Sequence, residues 1–161
     1  MKKCVLTTEC YLTRGDETLF MHKCKQDDMN SGKYLGVGGH FEEGESPDEC
    51  MLREIEEETG VKASEIKDLA LRGIVTFKSD IYDIEYIFLF TGEYTGDREI
   101  VPGNCDEGIL EWVSAERVPG LPMWEGDKVF FDALNDEKRR FFTCTLEYEG
   151  DSLTDSGTRF Y

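Results

Sequence analysis

Positive charge is scarce in this chain. Lysine and arginine number 18 against 35 aspartates and glutamates, a formal charge of −17 over 161 residues. Such a surface repels nucleic-acid phosphates and argues against a broad duplex-binding face. Small phosphorylated ligands remain compatible with it, provided cations bridge the two negative partners. Long apolar runs are missing too. The opening stretch MKKCVLTTECYLTRGDE fits neither a signal peptide nor a membrane span. Six cysteines at 4, 10, 24, 50, 105 and 144 form no CxxC pair and no His–Cys cluster. Free, mostly buried thiols in a reducing cytoplasm are therefore expected. No DxDxDG loop is present, which argues against an acidic calcium-binding protein. Internal repeats, low-complexity tracts and linkers are absent as well.

What remains is ordinary for a folded domain. The apolar fraction is 39% and the aromatic fraction 12%, and the length suits one domain over residues 1–161. Strand-like runs, rich in β-branched and aromatic residues with partial alternation, cover 4–12, 18–23, 69–79, 81–94, 110–114 and 140–149. KSDIYD reads as a hairpin connection between the third and fourth. EGDSLTDSGTRFY, at the end of the sequence, reads as a loose tail. Two helices stand out. The first has Ser46 as N-cap, Pro47 at its first position, Glu49 closing a capping box and Gly60 as a left-handed stop. The second is expected over 126–136, after Pro122. This order suggests an α/β or α+β sandwich.

The first helix is dense in acid. On a 3.6-residue repeat, Met51, Leu52, Ile55 and Thr59 form a packing stripe. Glu54, Glu57 and Glu58 share another face at i, i+3, i+4 spacing. Like charges so placed destabilise an isolated helix by about 0.2–0.5 kcal/mol per pair. Arg53, four residues before Glu57, can pair with it but cannot neutralise all three. A hard divalent cation would offset the repulsion, since Mg²⁺ and Mn²⁺ prefer carboxylate, carbonyl and water oxygens. The Gly38-Gly39 turn before the helix lets backbone approach such an ion closely.

The full pattern is Gly39, five residues, Glu45, seven residues, Arg53-Glu54-Ile55, one residue, Glu57-Glu58, one residue, Gly60-Val61. It resembles the Nudix box at every fixed position. The resemblance implies a mixed β-sheet sandwich flanked by helices, with a loop–helix–loop metal site, and hydrolysis of a nucleoside diphosphate linked to another group. It implies Glu54, Glu57 and Glu58 as metal-binding carboxylates and the Gly38 carbonyl as a further ligand. Arg53 becomes an orienting ion-pair partner, while Gly39 and Gly60 shape the backbone, Gly39 also facing the substrate. The implied cofactor is Mg²⁺, with Mn²⁺ as substitute. Bound cations neutralise phosphate charge and activate a water for in-line attack, and a carboxylate takes its proton; Glu57 and Glu58 are among the implied catalytic residues.

Similarity to the oxidised-purine nucleoside triphosphatase branch extends outside the box, through YLGVGGHFEEGE, CDEGILEWVSAERVPGLPMWEGD and KRRFFTCTLEYE. It implies Glu107, of the pair Asp106-Glu107, as a distal carboxylate near the metals. It implies Lys23 and Lys25 as phosphate contacts, and Trp124 and Asp127 as readers of the base. Two departures argue against a dedicated 8-oxoguanine enzyme. Leu35 stands where a side-chain amide is common, and Gly126 replaces one acid. His22 and His40 are not diagnostic.

The expected activity is cleavage of nucleoside triphosphates, 8-oxo-dGTP among them, to monophosphate and pyrophosphate, a nucleotide-pool sanitation chemistry. Nucleotide sugars or dinucleoside polyphosphates are the alternative substrates, and a non-catalytic nucleotide-sensing module is the alternative class. The expected partner is a small nucleotide, without nucleic-acid polymer or membrane, acting in the cytoplasm on a monomer or homodimer.

Overall fold

The computed structural model describes residues 1–26, 28–100 and 108–161. Among the described residues, nine strands and two α-helices run in the order β1 (Cys4–Arg14), β2 (Glu17–Lys23), β3 (Tyr34–Leu35), β4 (Val37–His40), α1 (Pro47–Thr59), β5 (Ile66–Ser79), β6 (Ile84–Tyr94), β7 (Gly108–Ser114), α2 (Glu125–Leu134), β8 (Phe142–Glu149) and β9 (Ser152–Phe160). The fold is mixed α+β, a large mixed sheet flanked by two helices. The main order is β3-β2-β1-β6-β5-β8-β9, with β4 beside β1 and β7 beside β2. β1 runs parallel to β6, and β5 parallel to β8. The other pairs are antiparallel.

β1 organises the molecule. Residues 7–12 are buried on both faces, so its period-two alternation distributes side chains between two cores. Cys10 and Leu12 join Val37, Met51, Ile55 and Phe90 in the core under α1. Tyr11 joins Phe20, Leu89, Phe130, Phe142 and Leu146 in the core under α2. Along one edge β1 changes partner. Thr7–Cys10 pair with β4, whereas Thr13 and Arg14 pair with β2. Next to these pairings, Tyr34 and Leu35 pair with β2, and the Gly36 N–H donates to the Glu9 carboxylate of β1.

Most elements lie near their expected positions, and β5 and β6 form the hairpin around KSDIYD. Three differences have physical reasons. The C-terminal stretch is not a loose tail: Ser152–Phe160 pairs antiparallel with β8. Its residues are mostly exposed and polar, so its strand character comes from backbone pairing, with Leu153 and Phe160 packed against the α2 core. α2 spans Glu125–Leu134 rather than 126–136, with Trp124 at the N-cap and no side-chain cap. β3 is only Tyr34–Leu35 and β4 only Val37–His40, half glycine, so neither is long enough for a periodic signal. Among the described residues no helix is long and apolar enough to cross a membrane.

Candidate active site

α1 is held at both ends by local chemistry. The Ser46 hydroxyl accepts from the Glu49 N–H at 3.3 Å, and the Glu49 carboxylate accepts from the Ser46 N–H at 2.8 Å. Gly60 closes the helix at φ 73°, where a side chain would be strained. Between the caps, Cys50, Met51, Ile55 and Thr59 are buried. That packing fixes the rotation of the helix and turns Glu54, Glu57 and Glu58 towards a cavity of about 1130 Å³.

Arg53 is the hub of the carboxylate cluster. Its Nε and Nη2 donate to both oxygens of Glu45, at 2.5 and 2.9 Å. Nη1 donates to Glu54 at 2.8 Å and to Glu57 at 3.2 Å, and Nη2 also reaches the His40 carbonyl at 3.0 Å. The expected Arg53–Glu57 pair is present, but the fork-shaped pairing is with Glu45, eight residues away and outside any helical repeat. The guanidinium holds the Glu45 carboxyl down at about 2, and Glu45 in turn raises Arg53. One guanidinium thus faces several carboxylates, and the cluster keeps an excess of negative charge.

The strand β4 closes the other side. Glu58 Oε2 accepts from the Gly38 N–H at 3.0 Å. A Cβ on Gly39 would meet the Glu54 carboxylate at 2.5–2.7 Å, so only glycine lets backbone and carboxylate lie this close. Among the described residues, no three His, Cys, Asp or Glu side chains form a ready-made metal cage. The donor chemistry still fits a hard cation: Glu54, Glu57 and Glu58 line one cavity beside the Gly38-Gly39 backbone.

Lys23 and Lys25 line the same cavity, as do Gly38, Gly39 and Arg53. Trp124 and Asp127 do not line it. Trp124 is buried, donates its indole N–H to Asn30 Oδ1 at 2.7 Å, and carries the Lys33 ammonium 4.1 Å from its ring centroid. Asn30, not Trp124, faces the cavity. Asp127 is 8% exposed, and its Oδ2 has no hydrogen-bond partner among the described residues. Burial raises its pKa well above the usual carboxylate range, and the charges of Glu9 and Glu85 add to this. Asp106 and Glu107 lie outside the described residues.

Glu9 was not anticipated. It is 7% exposed, lines the cavity, and accepts from Tyr11 O–H and Gly36 N–H at 2.8 Å each. Burial raises its pKa. A signal was available, since an acid in the middle of the buried-strand run CVLTTECYL is costly unless it has a use. Glu85, which accepts from the Thr7 hydroxyl at 2.6 Å, lines the same region with Leu35 and Ile87. The cavity thus has a carboxylate end against α1, lysines along its rim, and a mixed apolar and acidic end on the α2 face of the sheet.

A family model for the NUDIX domain matches residues 5–134. The chain is similar to the Nudix hydrolase YvcI of Bacillus subtilis, at 30% identity over 150 residues and 88% of each chain. It is also similar to the oxidized purine nucleoside triphosphate hydrolase of Danio rerio, at 26% identity over 130 residues, covering 78% of this chain and 76% of that one. Similarity to the NAD-capped RNA hydrolase NudC of Pseudomonas fluorescens reaches 29% over 113 residues; it covers 69% of this chain but 37% of NudC. The crystal structure of a MutT protein from Bacillus halodurans superposes with a TM-score of 0.75 at 31% identity, covering 96% of this chain and 97% of that one.

Proposed function

The chain belongs to the Nudix hydrolase family, and on that premise we propose that it hydrolyses nucleoside triphosphates to a nucleoside monophosphate and pyrophosphate, using Mg²⁺ or Mn²⁺. The observation that carries this reading is the layout of the cavity. Carboxylates for cations lie at one end, Lys23 and Lys25 lie along it, and a part-apolar chamber sits at the other. A molecule with a polyphosphate tail and a flat heterocycle has those parts in that order.

Glu54, Glu57, Glu58 and the Gly38 carbonyl would hold the cations. When bound, they neutralise phosphate charge and acidify a water. Arg53 keeps the acids in place by pairing with Glu45, Glu54 and Glu57. Lys23 and Lys25 attract the phosphates and orient the chain. Glu58, steered by the Gly38 N–H, accepts the proton of the attacking water. A water oxygen bonds to phosphorus as the phosphoanhydride bond breaks, and pyrophosphate departs with the electron pair. Glu107 is proposed as an additional carboxylate for this centre. Trp124 acts from behind the cavity wall by anchoring Asn30, and Asp127, also behind the wall, acts through Glu9. The similarity to the Danio rerio hydrolase supports oxidised purine nucleotides within this substrate class.

A panel of nucleoside triphosphates, nucleotide sugars and dinucleoside polyphosphates, assayed with Mg²⁺ and resolved by chromatography, tests the proposal. Pyrophosphate and monophosphate should appear together from the triphosphates, and excess chelator should abolish turnover until Mg²⁺ or Mn²⁺ is restored. Full activity after exhaustive chelation would overturn the metal assignment. Cleavage confined to nucleotide sugars would overturn the substrate class.

A further inference from the structure

The chamber at the α2 end of the cavity carries an excess of hydrogen-bond acceptors. Glu9 is buried within it, on β1, and both of its hydrogen bonds fall on Oε1: one from Tyr11 O–H, one from Gly36 N–H. That oxygen is thereby committed as an acceptor, and Oε2 has capacity for a further donor. Asp127 on α2 is buried behind the cavity lining, and of the charges acting on it that of Glu9 is the largest. Glu9 itself lines the cavity, so a donor that enters can meet its carboxylate. Leu35, Ile87 and Met21 line the same cavity and offer flat apolar contact, while Thr8, Lys23 and Asn30 line it with polar groups. A ligand with N–H groups along its edge is complementary to the buried Glu9 carboxylate.

We propose that Glu9 is a specificity-determining residue, whose carboxylate receives adjacent N–H donors on the edge of the ligand's heterocycle, selecting a guanine-type edge over edges lacking that donor pair. This rests on the reading of the cavity as a nucleotide site. Guanine presents a ring N–H and an exocyclic amino group side by side. Inosine lacks the amino group, and 1-methylguanosine lacks the ring N–H. Removing one donor leaves a buried acceptor without its partner, which corresponds to roughly tenfold or more in affinity.

Glu9→Gln inverts the chemistry with little change in volume. Its amide oxygen can keep the bonds from Tyr11 and Gly36, and the amide NH₂ then occupies the position of Oε2. An edge that needs an acceptor there meets a donor instead.

The test is equilibrium binding of three nucleoside 5′-monophosphates, guanosine, inosine and 1-methylguanosine, to the full chain with Mg²⁺ present. Wild type should bind GMP about tenfold more tightly than either analogue. In Glu9→Gln, with its fold checked by thermal melting, the GMP-to-IMP ratio should fall to within about threefold. Equal binding of all three by wild type would overturn the proposal without any mutant being made. A folded Glu9→Gln protein with an unchanged ratio would overturn it too. Triphosphate hydrolysis measured alongside separates the two readings. Hydrolysis without GMP preference removes the role of Glu9 and leaves the proposed reaction standing. GMP preference without hydrolysis does the reverse.

Discussion

Replacing Asp127 by asparagine isolates the cost of a buried carboxyl group. Asp127 is 8% exposed, with Oδ2 unpartnered and the charges of Glu9 and Glu85 nearby. Its pKa in the fold is raised, so the protonated form is the one the fold accommodates. The sign follows. Its contribution is most favourable below the ordinary carboxylate range and is lost as pH rises through the folded-state value. Asparagine has nearly the same volume and never ionises. Burying a polar atom without a partner costs about 1–3 kcal/mol, and a charged one costs more. The variant should therefore match wild type near pH 4 and exceed it by about 1–3 kcal/mol at pH 8. Each kcal/mol corresponds to a rise of about 2–4 °C in Tm for a chain of this length. Urea unfolding followed by circular dichroism across that pH range reads the difference directly. Glu9 is present in both proteins, so the comparison isolates Asp127 and its repulsion with Glu9. A difference independent of pH, or a variant less stable than wild type at pH 8, would refute the reasoning.

Glu58→Gln should keep the fold, because the packed face of α1 is formed by Met51, Ile55 and Thr59, yet lower kcat by roughly 10²-fold or more; near-normal turnover would reject Glu58. Trp124→Phe keeps the ring but removes the N–H that anchors Asn30. KM for most nucleotides should rise by up to about tenfold with little change in kcat, and an unchanged KM would show that Asn30 needs no anchor. Glu45 is held at about 2 by Arg53, below its ordinary 4.5, so it contributes stability above the ordinary value that is lost as pH falls towards 2. Glu45→Gln should flatten the acid limb of a stability–pH curve over that window, and an unaltered limb would mean the Arg53 pairing is not felt in folding.

Local chemistry alone determined α1 and its carboxylate face. Caps, helical period and residue spacing all act within one or two turns, so Ser46, Glu49, Gly60 and the Glu54-Glu57-Glu58 face were legible in the linear order. The long strands were legible for the same reason, since Cys4–Arg14 and Ile84–Tyr94 carry enough β-branched and aromatic residues to declare themselves. β9 did not, because its polar residues become a strand only by pairing with β8. The tertiary structure decided what lies behind the helix. Arg53's main partner is Glu45, eight residues away and set by the loop's return. Trp124 meets Asn30 across 94 positions of sequence, which moved the indole from the cavity wall to a support behind it. Glu9 and Asp127 come from β1 and α2, more than a hundred residues apart, and the electrostatic pressure between them exists only once both are buried at the same point. Spacing along a chain records what a helix turn can bring together; which distant acids share a low-dielectric pocket depends on the closure of the whole sheet.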